Sequence, residues 1–572
     1  MITRISEEIK ELLTLVGVTT AVDFTTPPKV EMGDFAFPCF GLGKLAQKNP
    51  VEVAKELAEK LNNKVKERHS DYIVGRAQAF GPYVNFFLRP ARLAEFFVSA
   101  IGKQAESFGT NGRDKGQKIV IEYPSNNTHK EFHIGHFRNV CIGNTLVALY
   151  RAAGATVYPI NYLNDFGSHV AKCLWGLQKF HAGEKPPANK QRWLGEIYAE
   201  ASRYIVEHSE VQEEVAKLQQ QIEAKDKSIW ALFSETREWS IEKFNELFKE
   251  LGVEHAAVFY EKDLKADGQK TINDLLRQGI ATIGEGGAII VDLNQYKLDV
   301  AMLRKSNGSG LYLTSDLPLA EVKFKKYKAD ESIVITGQEQ VFYFKQLYKI
   351  LSLIGFNKKL THISYGLVNL PEGKMSSRTG NVVIYEDLRD QVYAKLLEET
   401  KTRHADWKIK QVEQTAWLLT QAALKFDMQK HEAVKNITFD IKEATAVEGF
   451  TGPYVLYAVA RIASLYKKAK IEKIKPANSF KELSTIEEKQ LALFLGEFPE
   501  VVEKALAQYN PSVIARYTFD LAQAFNNFYS KHSVVEAESK ELAGERLALC
   551  LAVQQVLKNA LKLLTIETVE EM

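Results

Sequence analysis

The chain is poor in cysteine. Four thiols, Cys39, Cys141, Cys173 and Cys550, are scattered through 572 residues, with no CxxC pair and no Cys/His cluster. That spacing argues against a disulfide framework and against a structural zinc site. Long apolar runs are missing too: no stretch of 18 apolar residues occurs, which excludes an ordinary transmembrane helix. The opening MITRISEEIKELL lacks the apolar centre of a signal peptide and reads as an amphipathic helix. Nor is there an excess of one charge. Lys+Arg total 74 against Asp+Glu 72, so a nucleic-acid partner has to be held by local basic patches. No internal repeat or low-complexity segment is found. What remains is a soluble chain of a reducing, cytoplasmic compartment. With 45% hydrophobic and 26% charged residues the composition is globular. At roughly 150 residues per domain, the length predicts about three or four domains.

Residues 1–110 read as a small α+β unit. It has an opening helix, a helix from Pro50 to about Val65, a strand within AFGPYVNFFL (79–88) and a short helix from Pro90. The polar FGTNGRDKGQK segment reads as a linker. KIVIEY (118–123), short, apolar and β-branched, predicts a buried strand. An irregular loop, PSNNTHKEFHI, then leads to a helix from near Gly135 to about Ala153, and ATVYPINYL reads as a second strand. This succession is a βαβ unit, parallel and right-handed. Residues 172–280 read as charged helices that interrupt the sheet as an insertion. IATIGEGGAIIVDL predicts a hairpin turning at Gly286-Gly287, and KSNGSGLYL a turn at Asn307-Gly308. ESIVITG (331–337) and THISYGLVNL (361–370) are further strands, and from about residue 384 the pattern is helical to the end. The expected organisation is a multidomain α/β chain, with units at 1–110, 111–395 (carrying the insertion) and 396–572.

Two stretches carry chemistry. In IEYPSNNTHKEFHIGHFRN, His133 and His136 flank Ile134-Gly135 at a helix start directly after a buried strand. Backbone N–H groups and the helix dipole favour anions there, and imidazoles donate to phosphate oxygens as charge develops. Gly135 leaves room for a flat ring near the backbone. In isolation such a pair is an ordinary helix cap. The second stretch, EGKMSSRTGNVV (372–383), offers Lys374 and Arg378 as phosphate partners, Ser376 and Ser377 as small donors, and Gly373 and Gly380 as hinges. By itself it is a charged surface loop. Together, the two would clamp a triphosphate from two sides.

These stretches resemble the signatures of the class I aminoacyl-tRNA synthetases. The HIGH signature is matched by His133-Ile134-Gly135-His136, and KMSKS by Lys374-Met375-Ser376, with Ser377 replacing its second lysine and Arg378 its last serine. Loss of that lysine marks the arginine-specific branch, to which the chain is similar nearly end to end. GDFAFPCF and GPYVNF resemble that branch's N-terminal extra domain, and YLNDFGSHV and KSNGSGLYLTSD resemble catalytic motifs. EGFTGPYVLYAVARI and RYTFDLAQAFNNFY resemble its C-terminal helical anticodon domain. Only the charged insertion is weakly matched.

The resemblance implies a Rossmann-type catalytic domain, an N-terminal α+β domain and a C-terminal all-α anticodon-binding bundle. It implies L-arginine, tRNA(Arg) and ATP with Mg²⁺ as substrates, arginine activation that needs bound tRNA, a monomer, and no structural metal. Carried over residue by residue, His133, His136, Lys374 and Lys130 are catalytic, Lys130 standing in for the missing loop lysine. His133, Gly135, His136, Met375, Ser376 and Arg378 contact ATP. A guanidinium has five donors and no acceptor, so its pocket needs carboxylates and amide or hydroxyl acceptors. Tyr312 and Asp316 fall to the guanidinium, Gln340 nearby, and Glu122 and Asn127 to the α-amino end or its surroundings. The ordinary alternative for Asp316 is a helix N-cap before LPLAEV.

For RNA, Tyr454 and Arg461 head a stretch where Tyr457 and Tyr466 interleave with lysines, the chemistry of base stacking plus phosphate contact. Most of those lysines read equally well as a solvated face. Tyr83 and Asn85 match family positions that meet the tRNA D-loop. A cysteine-specific relative would need zinc ligands and the branched-chain enzymes a larger editing insertion, and both are missing. A non-catalytic RNA-binding relative would show eroded phosphate motifs, and here both motifs stand.

Overall fold

The computed structural model describes residues 2–19, 23–67, 72–306, 311–371 and 383–572. At the N-terminus, α1 (Ile2–Leu15) buries Ile5, Ile9, Leu12 and Leu13, one stripe at helical spacing. Strand β1 (Phe35–Pro38), α2 (Phe40–Ala46) and α3 (Pro50–Glu67) follow, and α3 buries Ala54, Leu57, Ala58, Leu61 and Val65. Next come β2 (Val74–Phe80), β3 (Tyr83–Leu88) and α4 (Pro90–Gln104). The three strands form an antiparallel sheet in the order β1-β3-β2. The single strand expected over 79–88 is in fact the turn of a hairpin, with Phe80 opposite Tyr83. Gly81, at φ +58°, makes the turn, and apolar residues on both sides hid it in the sequence.

The second unit opens with β4 (Lys118–Glu122), whose Ile119, Val120 and Ile121 are fully buried. Helix α5 (Ile134–Ala152) and β5 (Thr156–Leu163) complete the expected βαβ. The insertion comprises α6 (Ser168–Phe180), α7 (Lys190–Glu207), α8 (Gln212–Glu223) and α9 (Lys227–Glu250). It packs a core of its own around Leu174, Trp175, Leu194, Ile197 and Phe233. A correction follows. The span 172–280 is not helical throughout, because β6 (Ala257–Tyr260) pairs in parallel with β5 as the edge strand of the main sheet. Four half-buried residues are too few to show a strand period.

Helix α10 (Glu261–Arg277) leads to a small antiparallel sheet of β7 (Thr282–Ile283), β8 (Ile289–Asp292) and β9 (Val300–Arg304), with the expected turn at Gly286-Gly287. The turn expected at Asn307-Gly308 lies outside the described residues. Helix α11 (Tyr312–Tyr327), β10 (Glu331–Gly337), α12 (Val341–Leu353), β11 (Lys359–Tyr365) and the short β12 (Val368–Asn369) follow. The main sheet is parallel, in the order β11-β10-β4-β5-β6. From the central β4 the chain winds first toward β5 and later returns on the other side at β10. That reversal leaves a crevice at the strands' C-terminal ends.

The C-terminal part contains α13 (Tyr385–Arg403), α14 (Ile409–Gln429), β13 (Ile437–Thr438), α15 (Ile441–Ala444), α16 (Gly452–Ile471), α17 (Ile486–Ala507), α18 (Ser512–Lys531) and α19 (Lys540–Leu563). It is helical apart from β13, which pairs in parallel with β12 and so ties the bundle to the unit that carries the main sheet. Arg138 of α5 makes the same tie. Its fully buried guanidinium donates to the carbonyls of Gly366, at 2.7 Å, and of Lys435 and Glu432, at 2.8 and 3.3 Å. Asp34 of the N-terminal unit pairs with Lys489 of α17 at 2.8 Å, both nearly inaccessible. No described helix is long and apolar enough to cross a membrane. All four cysteines are free and buried.

Candidate active site

A cavity of about 450 Å³ opens in the crevice. Its walls come from strand ends and the turns after them: Glu122 after β4, Tyr162 and Asn164 at the end of β5, Thr336 and Gly337 at the end of β10. Helix α11 adds Tyr312 and Asp316, and the entry to α12 adds Gln340 and Tyr343. Asn127, His133 and His136 line it as well, and also line a second cavity of about 540 Å³ that holds Lys130. The structure thus gathers Glu122, Asn127, Tyr312, Asp316, Gln340 and both histidines around one space.

At the histidine end, His133 is the N-cap of α5. Its Nδ1 accepts from the N–H groups of Gly135 and His136, at 3.1 and 3.4 Å, while His136 Nδ1 accepts from His133 N–H at 3.3 Å. The two rings stack 3.6 Å apart. A Cβ on residue 135 would sit 3.0 Å from the His133 ring, so glycine is what lets that ring fold back. This changes the expectation of free backbone donors. Ile134 N–H donates to Val383 O and Phe137 N–H to His133 O, so the whole first turn is satisfied internally. Because each Nδ1 accepts, each ring's hydrogen is on Nε2. Burial, with Lys130 adding, lowers His133 to about 4 and His136 further. The end therefore presents two neutral Nε2–H donors.

The other end is acidic. Asp316 lies in the second turn of α11, whose N-cap is Leu311, so it caps nothing. Gly268 of α10 presses against this helix so closely that a Cβ there would meet the Thr314 carbonyl oxygen at 2.0 Å. Asp316 Oδ2 accepts from the Tyr343 hydroxyl. Its Oδ1 and the neighbouring Tyr162 hydroxyl are both buried without a partner in hydrogen-bonding geometry. Burial pushes the Asp316 carboxyl up to about 7; the Tyr343 hydroxyl opposes this and Glu122 adds to it. Glu122 itself is engaged: Lys323 donates to its Oε2 at 2.8 Å, both side chains being buried. Tyr312 is half exposed at the rim.

Sequence reasoning missed Glu261, the first residue of α10 after β6. It is buried, its Oε2 has no partner, and it interacts electrostatically with Asp316. Burial raises its carboxyl to about 8, with Lys265 opposing and Asp316 adding. A carboxylate directly after a sheet strand was the available signal, and it went unread because the strand itself did. Lys374, Met375, Ser376 and Arg378 lie outside the described residues. Among the described residues no cluster of three His, Cys, Asp or Glu side chains is placed to hold a metal.

The other predicted positions lie elsewhere. Arg461 of α16 donates to Asn526 Oδ1 at 2.7 Å and stands 4.4 Å from the Tyr457 ring and 5.3 Å from that of Tyr529, while Asn526 donates to the Tyr454 hydroxyl at 3.0 Å. Tyr529, 38% exposed, gives this group an open aromatic face that the sequence analysis did not single out. Lys467 and Lys468 are paired with Glu571 and Glu536, which fits a solvated face. In the N-terminal unit Tyr83 packs edge-on against the exposed Phe40. Asn85 turns inward, 2% exposed, and donates to Met32 O at 2.8 Å.

Comparison with known proteins agrees with this geometry. The family model described as "tRNA synthetases class I (R), catalytic domain" matches residues 98–441. The "Arginyl tRNA synthetase N terminal domain" matches 1–88 and the "DALR anticodon binding domain" 455–572. The arginine–tRNA ligase of Clostridium perfringens is 33% identical over 575 residues, covering 99% of each chain. That of Treponema denticola is 32% identical, covering 96% of this chain and 95% of its own. Among solved structures, Thermus thermophilus arginyl-tRNA synthetase superposes with a TM-score of 0.77 at 25% identity, over 99% of both chains. A carboxylate pocket facing a histidine-capped helix, on a chain aligned from end to end with these relatives, makes it a member of the arginyl-tRNA synthetase family of class I.

Proposed function

We propose that this chain charges tRNA(Arg) with L-arginine, in the cytoplasm and as a monomer. The arginine carboxylate oxygen attacks the α-phosphorus of ATP, which arrives with Mg²⁺, and pyrophosphate leaves. The 2′-hydroxyl of the terminal tRNA adenosine then attacks the adenylate carbonyl carbon, and AMP leaves. The protein contributes position and charge, with no covalent nucleophile.

The observation that carries this reading is Asp316, which lines the cavity and keeps a buried oxygen that lacks a donor. Buried acceptors without partners are costly, and a guanidinium supplies the missing donors in planar pairs. In this reading Asp316 and Tyr312 take the guanidinium, with Gln340 nearby, and Glu261 acts through its electrostatic interaction with Asp316. Asn127 faces the α-amino end, and Glu122 supports the pocket through its Lys323 pair. His133 and His136 donate to phosphate from Nε2, Gly135 lets their rings approach, and Lys130, Lys374, Met375, Ser376 and Arg378 complete the ATP site. The Arg461, Tyr454 and Tyr529 group stacks anticodon bases, and Tyr83 with Phe40 meets the D-loop. Asn85 would act on the RNA only through the turn it holds. The units of residues 1–110, 111–395 and 396–572 then serve D-loop contact, catalysis and anticodon binding. Pyrophosphate release measured with each amino acid, with and without tRNA, tests the reading. Release with arginine alone among the amino acids is expected, and release with another amino acid or none would overturn it.

A further inference from the structure

The helical insertion has no role in the scheme above, yet it grips the loop between β4 and α5. His129 is fully buried and holds φ +61°, a conformation a non-glycine residue keeps only where its surroundings enforce it. The enforcing groups belong to α9. His129 N–H donates to Ser240 Oγ at 3.0 Å, and its Nε2 lies 2.9 Å from Thr236 Oγ1. The Thr236 hydroxyl hydrogen goes to Leu232 O at 2.8 Å, so His129 donates from Nε2 and its Nδ1, 3.0 Å from Thr128 Oγ1, accepts. The ring is thereby held neutral, which agrees with burial lowering it to about 3.

The residue after this anchor is Lys130, and its own backbone is held from the other side. Gln191 at the start of α7, 3% exposed, donates its amide to the Lys130 carbonyl. About two helical turns further along α7, the Tyr198 ring receives the Lys130 ammonium at 4.7 Å. Two helices of the insertion thus fix both the main chain and the charged end of one loop lysine, beside the cavity that the two histidines share.

We propose that the insertion is a positioning device for Lys130: Gln191 and the His129–Thr236–Ser240 cluster set its backbone, and Tyr198 steers its ammonium. The proposal rests on Lys130 as a phosphate partner in the reading above. Gln191, His129 and Tyr198 act through it and touch no reacting atom.

The test is ATP–pyrophosphate exchange by the full-length chain with tRNA present. Gln191→Leu should lower kcat on the order of tenfold, with KM for arginine within about twofold. Added to Lys130→Ala, Gln191→Leu should have no further effect, because a device for a lysine has nothing to position once the lysine is gone. Tyr198→Ala should behave in the same way, and Tyr198→Phe, which keeps the ring face, should restore the parent rate. If the single losses multiply in the double variants, the insertion residues are merely structural and the proposal falls. It falls also if Gln191→Leu and Tyr198→Ala both leave kcat unchanged while Lys130→Ala lowers it. An unchanged rate in Lys130→Ala itself would bring down the assignment of Lys130 first, and the proposal with it.

Discussion

The two ends of the substrate cavity are built on opposite plans. At the acidic end, Asp316 sits on a regular helix and keeps a buried oxygen without a donor, and Glu261, which keeps one too, interacts with it electrostatically. At the histidine end every backbone donor of the first turn is used and the imidazoles are neutral, so among the described residues the fixed positive charge beside them is that of Lys130. On the proposed function, selectivity is thus carried by helix and strand ends, where a wrong side chain leaves acceptors stranded. Lys130, by contrast, sits on a loop whose backbone and ammonium are held by Gln191 and Tyr198 of another element.

The sharpest way to break this comparison is at Asp316. Truncation to alanine removes the partner of a buried cation, at about 2–5 kcal/mol, or roughly 30- to several-thousand-fold in arginine kcat/KM. KM for ATP should hardly change in the same steady-state assay. Asp316→Asn keeps size and the Tyr343 contact yet loses the charge, so arginine binding as tight as the parent's would show that this carboxylate does not read the guanidinium. Lys374→Ala probes the opposite end. Its contact grows with the charge on the leaving pyrophosphate, so kcat and kcat/KM should fall together by about 10²–10³-fold, with arginine KM held. An unchanged exchange rate would remove the lysine from the scheme. Arg461→Ala, remote from both ends, should raise tRNA KM by roughly 5- to 150-fold and leave arginine KM in place.

The smallest effect is a pH dependence. Folding raises the Asp316 carboxyl to about 7 and the Glu261 carboxyl to about 8. Between the ordinary carboxylate range and those values the folded state holds protons that the unfolded state has released, so these groups make stability fall as pH rises through that window. Arginine binds the ionised forms and offsets the penalty. Arginine kcat/KM should therefore climb between about pH 6 and pH 8, by at most about tenfold per unit for one group, and less steeply in Asp316→Asn. The rise in Tm on adding arginine should be larger at pH 8 than at pH 6, and a flat profile would mean that the acidic end is already ionised when empty.

How much of this was legible in the sequence depended on length and period. The strands around 118–123, 156–163 and 331–337 and the helix bearing the histidines stood out, because each is a sustained apolar or β-branched pattern. The edge strand at Ala257–Tyr260 and the two-residue Ile437–Thr438 did not, since four and two residues show no period. The convergence of Asp316, Tyr312 and Gln340 was approached through the family resemblance, for no local pattern links a helix's second turn to the entry of the next. The self-capping of His133 and His136 is invisible in one dimension, as it depends on a ring folding back over Gly135. The inward turn of Asn85 was hidden for the same reason, because alternation along β3 does not say which face meets the turn near Met32.

Arg138 carries a consequence for evolution and engineering. Its donors stand on the helix that bears His133 and His136, whereas two of its three carbonyl acceptors, Glu432 and Lys435, lie in the stretch between α14 and β13. Among the described residues no carboxylate forms an ion pair with it, and its hydrogen bonds go to three peptide carbonyls. A bundle borrowed from a relative at 33% identity has to reproduce that backbone to within hydrogen-bond tolerance, or a guanidinium is left uncompensated in the interior. The helices that flank this stretch are for that reason not interchangeable parts. Domain exchange within the family should succeed only when the graft carries the segment around residues 430–438 together with its matching arginine helix, so that the two halves are inherited as a pair.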